Sequence, residues 1–328
     1  MISASRFGCG RSLRRQADSF DFRLRGSKIT VAESTMAQFS GLIPELDPYA
    51  RSFNAERAAR VTMTRRQLVA KSSNPGLSLL VLHKDRPDLL ARLWSGFTKL
   101  RSVCIHEGID VELLLGDTGS TDAETLTLLD NPPEGVGITR GMQYQFSRCN
   151  NDLFGNANYA TVLLMNNDVF IDERPEGVVE AYRALTADPQ LGAVGVVLLF
   201  EDGTAQHAGV EFLQIPELFA VPYHPGSRQL PVHKMGEVFT SSAVTGAFLM
   251  TPSDLFARSG GLDERYAAEC QDIDYCLRLR RVGLDIRTLN VGPIYHVENG
   301  TRDPGEENWA DRALFVRRWS SFVECISS

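Results

Sequence analysis

The chain has 328 residues, of which 43% are hydrophobic and 23% are charged, and its formal net charge is -7. This composition suits a globular core of one or two domains, and the negative charge argues against a general nucleic-acid binder. The six cysteines lack any Cys-x-x-Cys spacing, which argues against a zinc ribbon and favours reduced thiols. The longest apolar run, residues 193–200, is far too short to span a bilayer, and no secretory signal follows the basic start.

Residues 1–76 form a predicted N-terminal extension. Residues 1–52 lack a sustained periodicity and are rich in Ser, Gly and Arg, which predicts a basic, partly disordered segment. An Asn cap followed by apolar residues on one side predicts a helix over residues 54–71. The sequence Ser-Ser-Asn-Pro-Gly at residues 72–76 then interrupts the chain and marks the start of the main domain.

Strands and helices alternate after this break. A continuous apolar run at residues 77–82 is typical of a strand buried on both faces, and a proline opens the helix predicted at residues 87–100. The next predicted elements are a strand at 111–115, a short helix ending at 129, a strand at 143–146, a helix at 150–159, a strand at 161–165, a helix at 176–187 and a strand at 193–200. This order predicts a mostly parallel sheet with right-handed crossovers.

The second half of the chain has a different pattern. Residues 208–242 contain four prolines, which predicts irregular structure with short antiparallel strands. The elements predicted after it are a strand at 243–251, a helix at 252–259 ended by two glycines, a helix at 272–282, a strand at 286–291 and a helix at 309–325. The predicted fold class is α/β, with a mostly parallel central sheet flanked by helices and a small antiparallel part in the C-terminal half.

Carboxylates follow two of the predicted buried strands, where open α/β sheets bind ligands. Asp168 ends the run Leu-Leu-Met-Asn-Asn-Asp at residues 163–168 and is placed to hold a divalent cation against a phosphate. Asp117 ends the second strand and could accept the N–H of a uracil or thymine ring. Both segments have a simpler interpretation, since Asn-Asn-Asp is a common turn and Ser or Thr after Asp117 caps the next helix.

An acidic segment opens the helix predicted at residues 272–282. A general base that takes a proton from an acceptor hydroxyl must lie in a cleft, and Asp272 or Asp274 could fill this role. Two residues apart on a helix, they point in different directions, so at most one faces the reacting centre, and the pattern does not choose between them. Acids also stabilise helix N-termini through the helix dipole, which is the alternative explanation.

Two residues near the end of the domain are candidates for the same site. His296 could supply a nitrogen ligand to Mn²⁺ or Mg²⁺ beside Asp168, although a lone histidine is more often structural. Arg302 could contact a diphosphate through its planar guanidinium, or it could be an ordinary surface charge.

Three further candidates have two interpretations each. His207 could line a sugar pocket or play a structural role. Asp85 and Arg86 follow the first strand and could approach the nucleotide or cap the next helix. A Gly-x-Gly-x-x-Gly turn, a Walker A loop and a Gly-x-Ser-x-Gly elbow are all absent, which disfavours a dinucleotide-binding fold, a P-loop protein and a serine hydrolase.

Taken in order, nine segments within residues 77–302 resemble the motifs of family-2 glycosyltransferases, closest to the subgroup that includes rhamnosyltransferases. The segments are 117–122, 146–151, 164–168, 192–195, 202–209, 244–247, 260–264, 272–278 and 296–302. Their texts include Asp-Thr-Gly-Ser-Thr-Asp, Leu-Met-Asn-Asn-Asp, Gln-His-Ala-Gly, Gly-Gly-Leu-Asp-Glu and Asp-Ile-Asp-Tyr-Cys-Leu-Arg. The resemblance implies the GT-A fold.

The resemblance also implies a function. The expected reaction is an inverting, metal-dependent transfer from a UDP- or dTDP-linked sugar to a glycan or lipid-linked acceptor. By this analogy, Asp272 is the catalytic base, while Asp168 and His296 hold Mn²⁺ or Mg²⁺. Asp117 contacts the nucleotide base, and Asn167 is assigned to the nucleotide-sugar site.

The sequence departs from the family pattern at three places. Gln271 stands where the family usually has Glu, Asn166 replaces the first acid of the Asp-x-Asp motif, and Leu-His-Lys-Asp-Arg at 82–86 replaces a Thr-Tyr-Asn-Arg type of segment. Gln271 leaves open a nucleotide-sugar-binding protein without turnover. A sugar nucleotidyltransferase is disfavoured, because it would usually carry a Gly-rich basic loop after the first strand.

The expected organisation is an extension at residues 1–76, a GT-A domain at 77–302 and a C-terminal helical tail at 303–328. We expect a cytoplasmic protein with no nucleic-acid partner. Seven Arg and Lys residues lie within the first 28 positions. They suggest a peripheral contact with anionic lipid at the inner face of the membrane.

Overall fold

The computed structural model describes residues 14–16, 19–24, 27–32, 74–215, 218–297 and 308–327. The predicted helix at 54–71 and the candidate Arg302 lie outside these ranges. Near the N-terminus the structure contains an antiparallel sheet where the sequence predicts no strands. It consists of β1 (Arg14–Gln16), β2 (Ser19–Leu24) and β3 (Ser27–Ala32).

From residue 74 onward, strands and helices alternate as predicted. In chain order the elements are β4 (Leu77–His83), α1 (Pro87–His106), β5 (Val111–Asp117), α2 (Ala123–Asp130), β6 (Val136–Thr139), α3 (Phe146–Phe154), β7 (Thr161–Asn166), β8 (Val169–Phe170), α4 (Glu176–Ala187), β9 (Leu191–Val196), β10 (Leu198–Leu199), β11 (Ala205–His207), β12 (Glu211–Phe212), β13 (Pro222–Tyr223), β14 (Val238–Thr240), β15 (Phe248–Pro252), α5 (Ser253–Arg258), α6 (Gln271–Arg281), β16 (Asp285–Leu289), β17 (Tyr295–His296) and α7 (Trp309–Ser327).

Eight of these strands form the central sheet, in the order β14-β16-β9-β15-β7-β4-β5-β6. The strands β7, β4, β5 and β6 are parallel, as are β9 and β16, whereas β15 and β14 run antiparallel to their neighbours. The central strands are almost entirely apolar because they are buried on both faces. The predicted α/β class with a mostly parallel sheet is therefore confirmed.

A second, smaller sheet has the order β11-β10-β17-β8. Within it, β17 pairs antiparallel with β8, so that His296 lies opposite Val169. This pairing brings a residue from near the end of the domain next to the segment that follows β7.

Hydrophobic clusters pack around the central sheet. Helix α7 belongs to one of them, because Phe315, Trp319 and Val323 are at most 1% exposed. The segment predicted as a C-terminal tail thus packs on the same core as the sheet. Among the described residues, no helix combines the length and the apolar character needed to cross a membrane.

The structure corrects several element boundaries. The strand predicted at 143–146 is wrong: the third parallel strand is β6, and residue 146 already begins α3, whose first turn receives a cap from the Gln145 side chain. The predicted strand at 193–200 divides into β9 and β10, because β10 leaves the central sheet and joins the smaller one. The strand predicted at 243–251 begins only at Phe248, since residues 245–247 form part of a cleft wall.

Candidate active site

A cleft of about 380 Å³ opens beside the carboxyl end of β7. Parallel strands end at the same edge of a sheet, where ligands bind in open α/β folds. Residues far apart in the sequence meet there: Asn166, Asn167, Asp168, Gln206, His224, Asp272 and His296 all line this cleft.

Asp168 and His296 form the most direct contact predicted from the sequence. The Asp168 Oδ1 and His296 Nε2 atoms are 3.2 Å apart, and both side chains are about 8% exposed. The Asn166 amide nitrogen lies 3.4 Å from His296 Nε2. The same imidazole nitrogen thus lies beside both a carboxylate and an amide.

These contacts suit a divalent cation. No hydrogen bond within the described residues satisfies Asp168 Oδ1, although it lies within ion-pair distance of the histidine. A buried carboxylate oxygen without a hydrogen bond is unfavourable, and a cation bound to it and to the imidazole would remove this cost. The carboxylate oxygen suits Mn²⁺ or Mg²⁺, and the softer imidazole nitrogen favours Mn²⁺ of the two. The part of the chain that the structure describes holds no cluster of three or more metal-binding side chains.

A row of polar side chains runs along the sheet edge away from this pair. The Asn167 amide donates to His83 Nδ1 at 2.9 Å, and His83 lies opposite Asp117 in the register of β4 and β5. Burial lowers the pKa of His83 to about 4, so its ring is neutral near pH 7. His83 was not among the predicted site residues, although its place at the end of the first strand could have suggested it.

Asp117 is only 3% exposed, and its Oδ1 accepts the backbone N–H of Ser120 at 2.9 Å. The residue therefore organises the turn after β5, whereas the cap of α2 is Asp122 and not the Ser or Thr that the simpler interpretation named. The position of Asp117 beside His83 also puts it in the same edge row as Asn167. Asp117 does not line the cleft itself.

Asp85 and Arg86 form a strained connection between β4 and α1. Their φ angles are 49° and 56°, which is unusual for residues other than glycine. Such strain is often found at functional sites. Asp85 Oδ1 accepts the backbone N–H groups of Thr121 and Asp122 at 2.7 and 2.9 Å, so it fixes the loop before α2 and does not cap α1. Arg86 contacts Asp88 at the surface.

Asp272 lies at the start of α6 and faces the cleft. Its Oδ2 accepts the N–H of Gly246 at 2.6 Å, and its Oδ1 accepts its neighbour Ile273 N–H at 2.8 Å. Burial raises the pKa of Asp272, and these two N–H groups oppose the rise. The result is a carboxylate held in a fixed direction and made more basic than an exposed aspartate.

Asp274 has a different environment. It is fully buried and accepts the Arg278 Nε–H and the Trp319 indole N–H, both at 2.9 Å. The Arg318 guanidinium forms an ion pair with the same carboxylate, also at 2.9 Å. These contacts tie α6 to α7. Of the two acids that the sequence could not separate, only Asp272 lines the cleft.

The loop before α6 is held from the C-terminal helix. The buried carboxylate of Asp311 accepts the backbone N–H groups of Ala267, Ala268 and Glu269 at 2.7–3.0 Å. Gln271, at the unusual position in the motif, is buried and donates to the carbonyl oxygen of Ala268 at 3.4 Å. No sequence pattern selects Asp311, because it acts through backbone contacts about forty residues away.

His207 lies behind the cleft wall. It is 1% exposed, and its Nδ1 is 2.9 Å from Nδ1 of His224, which does line the cleft. His207 therefore does not line the cleft itself, and His224 lies between it and the cleft.

Comparisons with known proteins agree with this architecture. The chain is 30% identical over 261 residues to the O-antigen biosynthesis protein RfbC of Myxococcus xanthus, a match covering 75% of the chain and 19% of that protein. It is also 30% identical over 223 residues to the uncharacterized protein y4gI of Sinorhizobium fredii (strain NBRC 101917 / NGR234), covering 65% of the chain and 24% of that protein. The chain thus spans about a fifth to a quarter of the length of these relatives. No family model matches.

Solved structures give the fold. The mannosyltransferase PcManGT from Pyrobaculum calidifontis, in complex with GDP-Man and Mn²⁺, matches 89% of the chain and 76% of its own length, with a TM-score of 0.50 and 14% identity. GalNAc-T7 with UDP, GalNAc and Mn²⁺ matches 77% of the chain and 50% of its own length, with a TM-score of 0.52 and 13% identity. These structural likenesses confirm the predicted GT-A fold.

Proposed function

We propose that this chain transfers a sugar, with inversion, from a UDP- or dTDP-linked donor to a glycan or lipid-linked acceptor, and that it uses Mn²⁺ or Mg²⁺. The observation that carries the proposal is the convergence of Asp168, His296 and Asp272 on one cleft. An in-line displacement needs a base on the acceptor side and charge neutralisation on the leaving diphosphate. Asp272 supplies the first, and the pair of Asp168 and His296 is suited to hold the second.

The chemical roles follow from the contacts. Asp272 takes the proton of the acceptor hydroxyl while the hydroxyl oxygen attacks the anomeric carbon. The bond from that carbon to the diphosphate oxygen breaks, and its electron pair leaves with the diphosphate. A bound divalent cation would offset the negative charge of the diphosphate. The Gly246 and Ile273 N–H groups keep the Asp272 carboxylate directed into the cleft.

The nucleotide is proposed to lie along the polar row at the sheet edge. Its base would lie near Asp117 and its diphosphate near Asp168, with Asn167 and the neutral His83 between them. Arg86 lies close enough to Asp168 to interact with it electrostatically, which also suits the diphosphate. The similarity to an O-antigen biosynthesis protein favours a polysaccharide or its lipid-linked precursor as acceptor, and we propose that the reaction takes place at the cytoplasmic face of the membrane.

The rival function is nucleotide-sugar binding without turnover, which Gln271 left open. Purified chain incubated with Mn²⁺ and a panel of UDP- and dTDP-sugars separates the two, with nucleotide-diphosphate release as the measurement. We expect release from at least one donor, and its loss on chelation with EDTA. Binding with no release from any donor, with water or added acceptors, would favour the rival.

A further inference from the structure

Two histidines outside the proposed catalytic and metal-binding residues are hydrogen-bonded at the cleft wall. The Nδ1 atoms of His207 and His224 are 2.9 Å apart, and the rings meet edge to face at 73°. His207 is 1% exposed, whereas His224 is exposed and lines the cleft. A contact between two ring nitrogens requires a hydrogen on one and a lone pair on the other.

The contacts of His207 decide which nitrogen carries the hydrogen. The backbone N–H of Gly209 donates to His207 Nε2 at 3.3 Å, so that nitrogen must be unprotonated. Burial lowers the pKa of His207 well below its usual value and keeps the ring neutral. Its single N–H is then on Nδ1 and donates to His224 Nδ1. His224, as the acceptor, carries its own hydrogen on Nε2 when neutral.

The two-histidine pair, His207 and His224, lies between the two halves of the proposed site. The strand β11, which carries His207, is separated from β17, which carries His296, only by β10. His224 and Asp272 line the same cleft. In a displacement reaction, the sugar ring must occupy the space between the leaving diphosphate and the attacking hydroxyl.

A second polar side chain belongs to the same cleft wall. The Gln206 side chain lines the cleft, is only 9% exposed, and its Oε1 makes no hydrogen bond within the described residues. A buried acceptor without a partner costs free energy unless a ligand supplies a donor. A sugar hydroxyl can both donate and accept a hydrogen bond. It could therefore donate to the Gln206 side-chain oxygen and accept from the His224 N–H.

We propose that the His224 Nε2–H and the Gln206 side-chain oxygen bind hydroxyls of the transferred sugar, and that buried His207 is a positioning residue that fixes the tautomer of His224. This inference rests on the proposed function, and it assigns the recognition of the sugar, as distinct from the nucleotide, to this wall. The transferred sugar therefore carries at least one free hydroxyl directed at β11 and the segment after β13.

The test compares binding of a nucleotide with binding of its sugar conjugate. Calorimetry with Mn²⁺ would measure UDP against UDP-glucose and UDP-galactose, and dTDP against dTDP-rhamnose. For the best donor, His224→Phe is expected to weaken nucleotide-sugar binding about tenfold, the effect of losing one hydrogen bond, with nucleotide binding unchanged. His207→Leu is expected to weaken nucleotide-sugar binding by the same factor. The double variant should bind no more weakly than either single variant, because both substitutions remove the same hydrogen bond to the sugar.

Conservative variants separate positioning from folding. His207→Asn places an amide N–H near the original Nδ1, and His224→Gln places one near the original Nε2, so both variants should retain most of the sugar affinity. The matched control is His233→Phe, since His233 stacks on Phe239 and pairs with Glu237 away from the cleft. Its sugar affinity should be that of the wild type.

Three results would overturn the proposal. Unchanged nucleotide-sugar affinity in His224→Phe removes that residue from sugar binding. Equal weakening of nucleotide and nucleotide-sugar binding would show a structural role only. A wild-type chain that binds no nucleotide or nucleotide sugar would contradict the proposed function itself and the pair's role with it, and this outcome is distinct from a loss confined to the variants.

Discussion

At the scale of single residues, two acids in one motif have opposite environments. Asp272 faces the cleft and accepts two backbone N–H groups, whereas Asp274 is buried in ion pairs. A general base needs access to the substrate, and a structural acid needs fixed partners. The division of roles therefore follows from which side of α6 each residue occupies.

Replacing Asp272 with Asn should abolish transfer and preserve nucleotide-sugar binding. Loss of a general base typically lowers the rate about 10²–10⁴-fold, and steady-state kinetics with a calorimetric binding measurement would check both parts. In the wild type, burial raises the pKa of Asp272, so kcat should fall as the pH falls through that raised pKa and the carboxylate takes up a proton.

Glu269→Gln is the control for this variant. Glu269 also lines the cleft, but its carboxylate binds the Arg312 guanidinium at 2.8 Å. It should retain substantial turnover. If it loses turnover while Asp272→Asn remains active, the base has been assigned to the wrong residue.

His83 should make the stability of the fold depend on pH. Its pKa is lowered by burial from 6.5 to about 4, so the unfolded chain binds a proton at a higher pH than the folded chain does. Its contribution to stability is present above about pH 6.5 and is lost as the pH falls through about 4, by at most on the order of 3 kcal/mol. Urea unfolding of the wild type and His83→Gln between pH 7 and pH 4 measures this loss, which should be smaller in the variant.

At the scale of elements, α7 acts as a clamp on the loop that precedes α6. Asp311 binds three consecutive backbone N–H groups of that loop, and Arg318 and Trp319 bind Asp274 one turn into α6. The direction of Asp272 therefore depends on a helix that contributes no group to the proposed chemistry.

Asp311→Ala should loosen this loop. Losing hydrogen bonds to a charged group costs about 1.5–3 kcal/mol of folding free energy, and kcat should fall while nucleotide affinity stays the same. Denaturant unfolding and kinetics measure both effects. Asp254→Ala is the comparison, since Asp254 forms an exposed ion pair with Arg258 that contributes little. Equal effects of the two changes would contradict the clamp.

Elements with long, regular apolar patterns were predictable from the sequence. The strands β4 and β7 were found because they are continuous apolar runs, and α4 was predicted at the bounds it has in the structure. Strand β6 was missed because it contains a glycine, has four residues and is only partly buried, so it lacks an apolar pattern.

The candidate site was predictable to the extent that its residues end strands or open helices. Asp168, His296 and Asp272 do so, and all three line one cleft. His83 and His224 were not selected, because their importance depends on partners distant in the sequence. No pattern along the chain reports such a contact, which is fixed only when the two sheets are assembled.

At the scale of the whole molecule, the basic N-terminal segment is expected to add membrane affinity to the folded domain. Each Lys or Arg near an anionic surface contributes about 1 kcal/mol. Flotation with liposomes containing anionic lipid should recover the full chain, and removal of residues 1–52 should reduce the recovered fraction strongly. Equal recovery with and without this segment would contradict the membrane contact.

Distant parts of the chain are proposed to form one cation-dependent nucleotide-sugar site. Thermal unfolding of the wild type and Asp168→Ala, with a panel of UDP- and dTDP-sugars and with or without Mn²⁺, measures this dependence. A ligand that binds the folded state raises its stability by RT ln(1 + [L]/Kd). We expect a nucleotide sugar and Mn²⁺ together to raise the Tm of the wild type and to leave that of Asp168→Ala unchanged. An equal Mn²⁺-dependent rise in Asp168→Ala would show that no cation is bound through Asp168.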